Sequence, residues 1–124
     1  MNRCVWLLVL LSINSGVRNV AAEQPRLPFH VLYVGKADSP RAIDFAGLLK
    51  DHFARVTVAD RVGFDPTKAA GADVVLLDWS QTETRSQEAE SPFGKIEEWR
   101  KPTVLLGSAG HLLAGPWQII GGAG

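Results

Sequence analysis

From residue 29 onward, short apolar runs alternate with stretches whose apolar residues recur every three or four positions. Phe29 to Val34 reads as a strand that ends at Gly35. Ser39-Pro40 is a helix start, a hydroxyl cap followed by proline at the first helical position. Ala42, Phe45, Ala46, Leu49 and Phe53 then fall on one face at helical spacing. Arg55 to Ala59 is a second strand, closed by Asp60. Asp65-Pro66 repeats the cap-then-proline signal and predicts a short helix ending at Gly71. Asp73 to Trp79 contains Val-Val-Leu-Leu, a continuous apolar run of the kind covered on both faces in a parallel sheet. Residues 80–90 are polar and turn-like. Ser91-Pro92 predicts a helix to about Arg100, with Phe93, Ile96 and Trp99 facing inward. Thr103 to Leu106 is a fourth strand, Gly107 to Gly110 a tight turn, and His111-Leu112-Leu113 a short helical turn. Trp117 to Ile120 predicts a fifth strand before the Gly-Gly-Ala-Gly ending.

Alternating strand and helix define an α/β class. The expectation is a three-layer Rossmann or flavodoxin-like domain with a mostly parallel sheet of four or five strands. Right-handed crossovers place helices on both faces. Such a domain ordinarily covers its last strand with a helix, which four glycines and alanines cannot do. The chain therefore reads as a domain truncated at its C-terminus, or as one that pairs an open sheet edge with a partner.

The first 22 residues follow a different plan. Arg3 gives a positive start, Cys4 to Leu11 an apolar core of about 8 to 10 residues, and Val20-Ala21-Ala22 a small-residue cleavage site before Glu23. A spanning helix needs roughly 20 apolar residues. Residues 1–22 are thus expected to be a signal peptide and residues 23–124 one α/β domain, secreted or periplasmic, with no stable membrane span after cleavage. Of the 13 basic residues, Arg3 and Arg18 lie in that segment, so 11 basic and 13 acidic residues remain, a net of −2. That balance argues against nucleic-acid binding by charge. The single cysteine, Cys4, lies in the same segment, which excludes a disulfide scaffold and a cysteine-rich zinc module. Three scattered histidines give no ligand spacing, so neither a metal nor another cofactor is expected.

Ligands of open parallel sheets bind beyond the carboxyl ends of the strands. There the sequence offers Asp38, Asp60, Asp78, Trp79 and Gly110 as binding residues, and Ser108 and His111 as a catalytic pair. Trp79 is suited to stack on a sugar ring, with Asp78 and His111 donating or accepting hydrogen bonds beside it. Ser108 sits in a strand-to-turn setting like a nucleophile elbow, but Leu106 occupies the first glycine position of Gly-x-Ser-x-Gly. A nucleophilic serine also needs a base, for which His111 is the candidate.

The stretch Leu106-Gly107-Ser108-Ala109-Gly110-His111 resembles the Gly-x-Cys-x-Gly-His motif of the class I glutamine amidotransferase-like superfamily, with Ser108 in the cysteine position. The strand order and the Ser39-Pro40 helix are similar to its trehalose-utilisation (ThuA-like) branch, which lacks the cysteine. The resemblance implies a flavodoxin-like fold and a carbohydrate-related ligand. It does not imply glutaminase activity, since a serine hydroxyl has almost no anionic fraction at neutral pH. Separately, the run ending at Asp78 resembles the third strand of receiver domains, whose terminal aspartate accepts a phosphoryl group. Val34-Gly35-Lys36 stands where those domains carry their magnesium-binding acidic pair.

The leading expectation is an exported amidotransferase-like domain that binds a small polar ligand at its strand ends. The alternatives are a serine hydrolase using Ser108 and His111, and a non-catalytic module that self-associates through an open sheet edge.

Overall fold

The computed structural model describes residues 24–81 and 90–119. The signal-peptide reading and most of the polar 80–90 segment lie outside those residues. Four strands form one all-parallel sheet: β1 (Leu27–Gly35), β2 (Phe53–Asp60), β3 (Val74–Trp79) and β4 (Thr103–Gly107), in the order β2-β1-β3-β4. This is the flavodoxin-like order, with four strands among the described residues. Among the same residues the helices are α1 (Pro40–His52), α2 (Ala109–Ala114) and a 3₁₀ helix at Pro66–Ala69.

The period-two pleat sends alternate residues of each strand to opposite faces. Val31 and Tyr33 of β1 meet Ala42 and Leu49 of α1 on one face, with Val56, Val58, Val74 and Leu76 packed around them. Leu32, Val34, Val75, Leu77 and Trp79 point the other way, to Ala69, Phe93, Ala109 and Leu113. The central strands β1 and β3 are therefore apolar on both sides, which is why their sequences are continuous rather than alternating.

The caps act as the sequence predicts. Ser39 Oγ accepts the Ala42 N–H at 3.1 Å and starts α1. Asp65 Oδ1 accepts the Thr67 N–H at 2.9 Å and starts the 3₁₀ helix, which ends at Ala69 rather than Gly71. Phe53 does not extend the helical face but opens β2 and caps α1 by donating its N–H to Leu49 O.

Three expectations are corrected. Residues 91–100 form turns rather than a helix. Ser91 Oγ accepts the Phe93 N–H and Ser91 O accepts the Gly94 N–H, while Gly94 takes φ +74°, a left-handed turn that a helix cannot pass through. The apolar residues keep their inward role: Phe93 is buried and stacks on Trp99 with ring centroids 4.1 Å apart. The described part of 117–120 is not a strand. Trp117 N donates to Leu113 O and Ile119 N to Ala114 O, so the chain keeps winding after α2. Finally, the turn after β4 is limited to Gly107, the last strand residue, and Ser108, and Gly110 lies inside α2.

Candidate functional site

β1 connects through α1 to β2 on one side, and the chain then returns past β1 to β3 on the other. The carboxyl edge between β1 and β3 is thus the point where connections diverge and where such sheets form a crevice. Here the chain's own side chains fill it. Asp78, 4% exposed, accepts from Tyr33 Oη at 2.5 Å and from Arg41 through Nε at 2.6 Å and Nη2 at 2.9 Å. A two-pronged guanidinium–carboxylate pair is the strong form of this contact. Burial, followed by the hydrogen bond to Asp78, raises the Tyr33 pKa far above its ordinary value. Arg41's own hydrogen bonds to Asp78 raise its pKa as well. Asp78 is therefore a tie between the sheet and the first turn of α1. Its carboxylate oxygens are engaged by the protein, which removes the support for a ligand-binding or phosphoryl-accepting role.

Trp79 also differs from expectation. It is 8% exposed, belongs to the core on the face opposite α1, and lies under the Arg61 guanidinium, whose centre is 4.6 Å from the ring. Its indole Nε1 is buried with no hydrogen-bond partner among the described residues. No ring face is presented for a sugar.

Ser108 and His111 are both near the start of α2. Ser108 is the N-cap residue, 9% exposed, while His111 is exposed. A nucleophile elbow places its strain on the nucleophile. Here Ser108 has an ordinary φ of −77°, and the left-handed residue is Gly107, at φ +62°. Gly107 has a local reason for its identity, since a Cβ there would stand 2.4 Å from the Trp79 carbonyl oxygen. Gly110 has open space around the position of a Cβ and makes no close approach that requires glycine.

Asp60 occupies the carboxyl end of β2 and organises the loops around it. Its Oδ2 accepts the Ala37 N–H at 3.2 Å and its Oδ1 the Val62 N–H at 2.8 Å. The Arg61 N–H donates to Gly35 O at 2.8 Å, tying the two strand ends together. Between these loops lies an open hollow of about 480 Å³, lined by Lys36, Asp60, Arg61 and Val62. Asp38 is exposed on the neighbouring β1–α1 loop and does not line it. The seven candidates thus separate: Asp60 borders the hollow, Asp38 lies near it, Asp78 and Trp79 are interior, and Ser108, Gly110 and His111 belong to α2.

Arg41 and Arg61 are the residues that sequence reasoning passed over. Arg41 carried a usable signal. A cation in the first turn of a helix opposes the positive end of the helix dipole, so it calls for a nearby carboxylate. Arg61 follows the last residue of a strand and carried no comparable signal.

No cluster of three or more histidine, cysteine, aspartate or glutamate residues capable of holding a metal occurs among the described residues. No described helix is long and apolar enough to cross a membrane. No protein-family model, curated protein or solved structure matches the chain.

Proposed function

We propose that the chain is an exported α/β domain that binds a small polar ligand in the hollow at the carboxyl ends of β1 and β2, without cysteine chemistry. The observation that carries this reading is the hollow bounded by Lys36, Asp60, Arg61 and Val62. Its volume falls in the range of small-molecule sites, roughly 300–1,000 Å³. Asp60 fixes both walls by accepting one backbone N–H from each. Export is supported by the Arg3 start, the Cys4–Leu11 apolar core and the Val20-Ala21-Ala22 ending. The amidotransferase-like affinity is part of the same proposal, supported by the strand order and by Gly110-His111 after the fourth strand.

Ligand mapping tests the binding reading. A fragment set of small polar molecules is titrated into the ¹⁵N-labelled chain, and the amide shifts are assigned. Binding is expected to perturb residues 35–37 and 60–62. Binders that perturb only the helix-covered faces, or none that reach the hollow, would sink the reading.

One observation favours a second reading, self-association through β4. Among the described residues no strand pairs with the outer edge of β4, and Val104 on that strand is 46% exposed. Its five residues, Thr103 to Gly107, include no charge or proline, the usual guards of an open edge. Sedimentation equilibrium checks this reading: a monomer at every concentration removes it, while a dimer abolished by Val104→Lys supports it.

A further inference from the structure

We infer that a second copy of this chain covers the half of the sheet beside α1, the two copies interlocking about a two-fold axis that runs along the strands. The inference rests on the self-association reading above and gives it a geometry, apolar face on apolar face rather than strand beside strand.

The two faces of the sheet are covered unequally. On one face Ala69, Phe93, Ala109 and Leu113 close over Leu32, Val34, Val75 and Leu77. On the other, α1 lies against β1 and β2. Beyond α1, the strand register sets Val104 beside Leu76 and Leu106 beside Asp78, whose carboxylate meets Arg41 of α1. Val104 and Leu106 therefore share the α1 face, yet neither belongs to either core cluster of the described residues. Val104 is 46% exposed, and Val74 and Leu76 of the central strand β3 are only partly buried. A parallel sheet is ordinarily buried on both faces. The helix beside this ledge is apolar on the same side. Arg41 marks the flank of α1 that is turned toward β3, because it reaches Asp78. Phe45, one turn later, lies under the Arg41 guanidinium. Leu48, two turns after Arg41, falls on the same flank and is 56% exposed.

Ledge and flank together form a step. A second copy, turned over about an axis parallel to the strands, sets its own ledge on this one. Its β4 edge then comes against Phe45 and Leu48, and its α1 comes beside the β4 edge of the first copy. Sheets pack face to face about 10 Å apart, close to the thickness of a helix lying on a sheet, so the two steps match in height. Each ledge measures about 17 Å by 10 Å, and the flank of α1 offers a strip of similar size. Counted on both copies, these contacts come to about 1,000 Å², the area a specific interface has to reach. The ledge residues Val74, Leu76, Val104 and Leu106 are all aliphatic, and Asp78 at its end is paired with Arg41. Such a dimer is closed: each copy uses its step once, and the open edge of β4 is covered by the same contact.

The test is sedimentation equilibrium of the 124-residue chain and of Leu48→Lys and Val104→Lys, with circular dichroism confirming that each variant keeps its fold. Both positions are exposed, so both variants are expected to fold. The expected result is a dimer whose Kd rises about tenfold or more with either substitution. A second measurement reads the geometry. Two Cys4→Ser chains, one carrying Leu48→Cys and the other Val104→Cys, are mixed and oxidised, and a disulfide between the two chains is expected. A dimer weakened by Val104→Lys and unchanged by Leu48→Lys overturns the inference and leaves pairing of β4 strand to strand. A dimer weakened by Leu48→Lys alone, or by neither substitution, lies elsewhere on the chain and overturns it too. Absence of the mixed disulfide in a dimer sensitive to both substitutions overturns the interlocked geometry. A monomer at every concentration removes this inference together with the reading on which it rests.

Discussion

Two residues illustrate how much local chemistry is concentrated at the carboxyl edge of the sheet. Tyr33 is the only tyrosine in the chain, so its ionisation is read without interference from another phenol. Its pKa is raised because the phenolate would be buried and would face the Asp78 carboxylate. The folded state therefore holds the Tyr33 proton more tightly than the unfolded state does. This contribution to stability is complete below the ordinary tyrosine value of about 10 and declines as pH rises above it. Absorbance at 295 nm is expected to show no tyrosinate at pH 10.5 in the folded chain and to rise only together with alkaline unfolding. Tyrosinate appearing near pH 10 with the fold intact would contradict the buried contact. Gly107 makes a second prediction. Gly107→Ala adds a Cβ at 2.4 Å from the Trp79 carbonyl oxygen on a backbone with φ +62°. The left-handed conformation costs about 1–2 kcal/mol and the clash a further 1–3 kcal/mol. Urea denaturation is expected to show a loss of roughly 2–5 kcal/mol.

The element most legible in the sequence was α1. Ser39-Pro40 followed by Ala42, Phe45, Ala46 and Leu49 specifies α1 at three levels at once: cap, first-turn proline and buried stripe. Ser39→Ala is expected to cost about 1 kcal/mol, measured by thermal or urea unfolding, because the Ala42 N–H loses its acceptor. The Ser91-Pro92 start carried the same cap and proline without the same result. What followed it was Phe93-Gly94, where Gly94 takes a left-handed turn that ends any helix and Phe93 stacks on Trp99. Trp117 misled for a related reason. An apolar residue beyond a short helix reads as a strand, yet its ring lies 5.9 Å from that of Phe93, on the core face α2 already covers. Periodicity identifies which residues are inward and says less about how the backbone brings them there.

At the scale of the whole molecule, the parallel sheet was readable from the order of its elements, whereas the site was readable only as an edge. The sequence placed Asp60, Asp78, Trp79 and Ser108 at strand ends, where the structure has them. It carried no information on which face each side chain took. A shift of one residue reverses the face in a strand, and a boundary is not known to that accuracy from pattern alone. Asp78 and Trp79 are neighbours in the chain, yet they turn to opposite faces of the sheet, Asp78 to Arg41 of α1 and Trp79 into the core that holds Leu113 of α2. The same architecture predicts a gradient of protection. Amides in the middle of β1 and β3, flanked on both sides by strands, are expected to exchange with deuterium most slowly. Those of β4 that face away from β3 are expected to exchange fastest within the sheet. Uniform protection across all four strands would indicate an additional element along β4.

The position of Arg61 over Trp79 has an optical consequence. Indole emission responds to a charge held against the ring, and this charge belongs to a residue in the wall of the hollow. An occupant that draws the guanidinium away would change the colour and yield of Trp79 fluorescence. In a chain whose other three tryptophans are replaced by phenylalanine, such a change would serve as a readout of the binding proposed above.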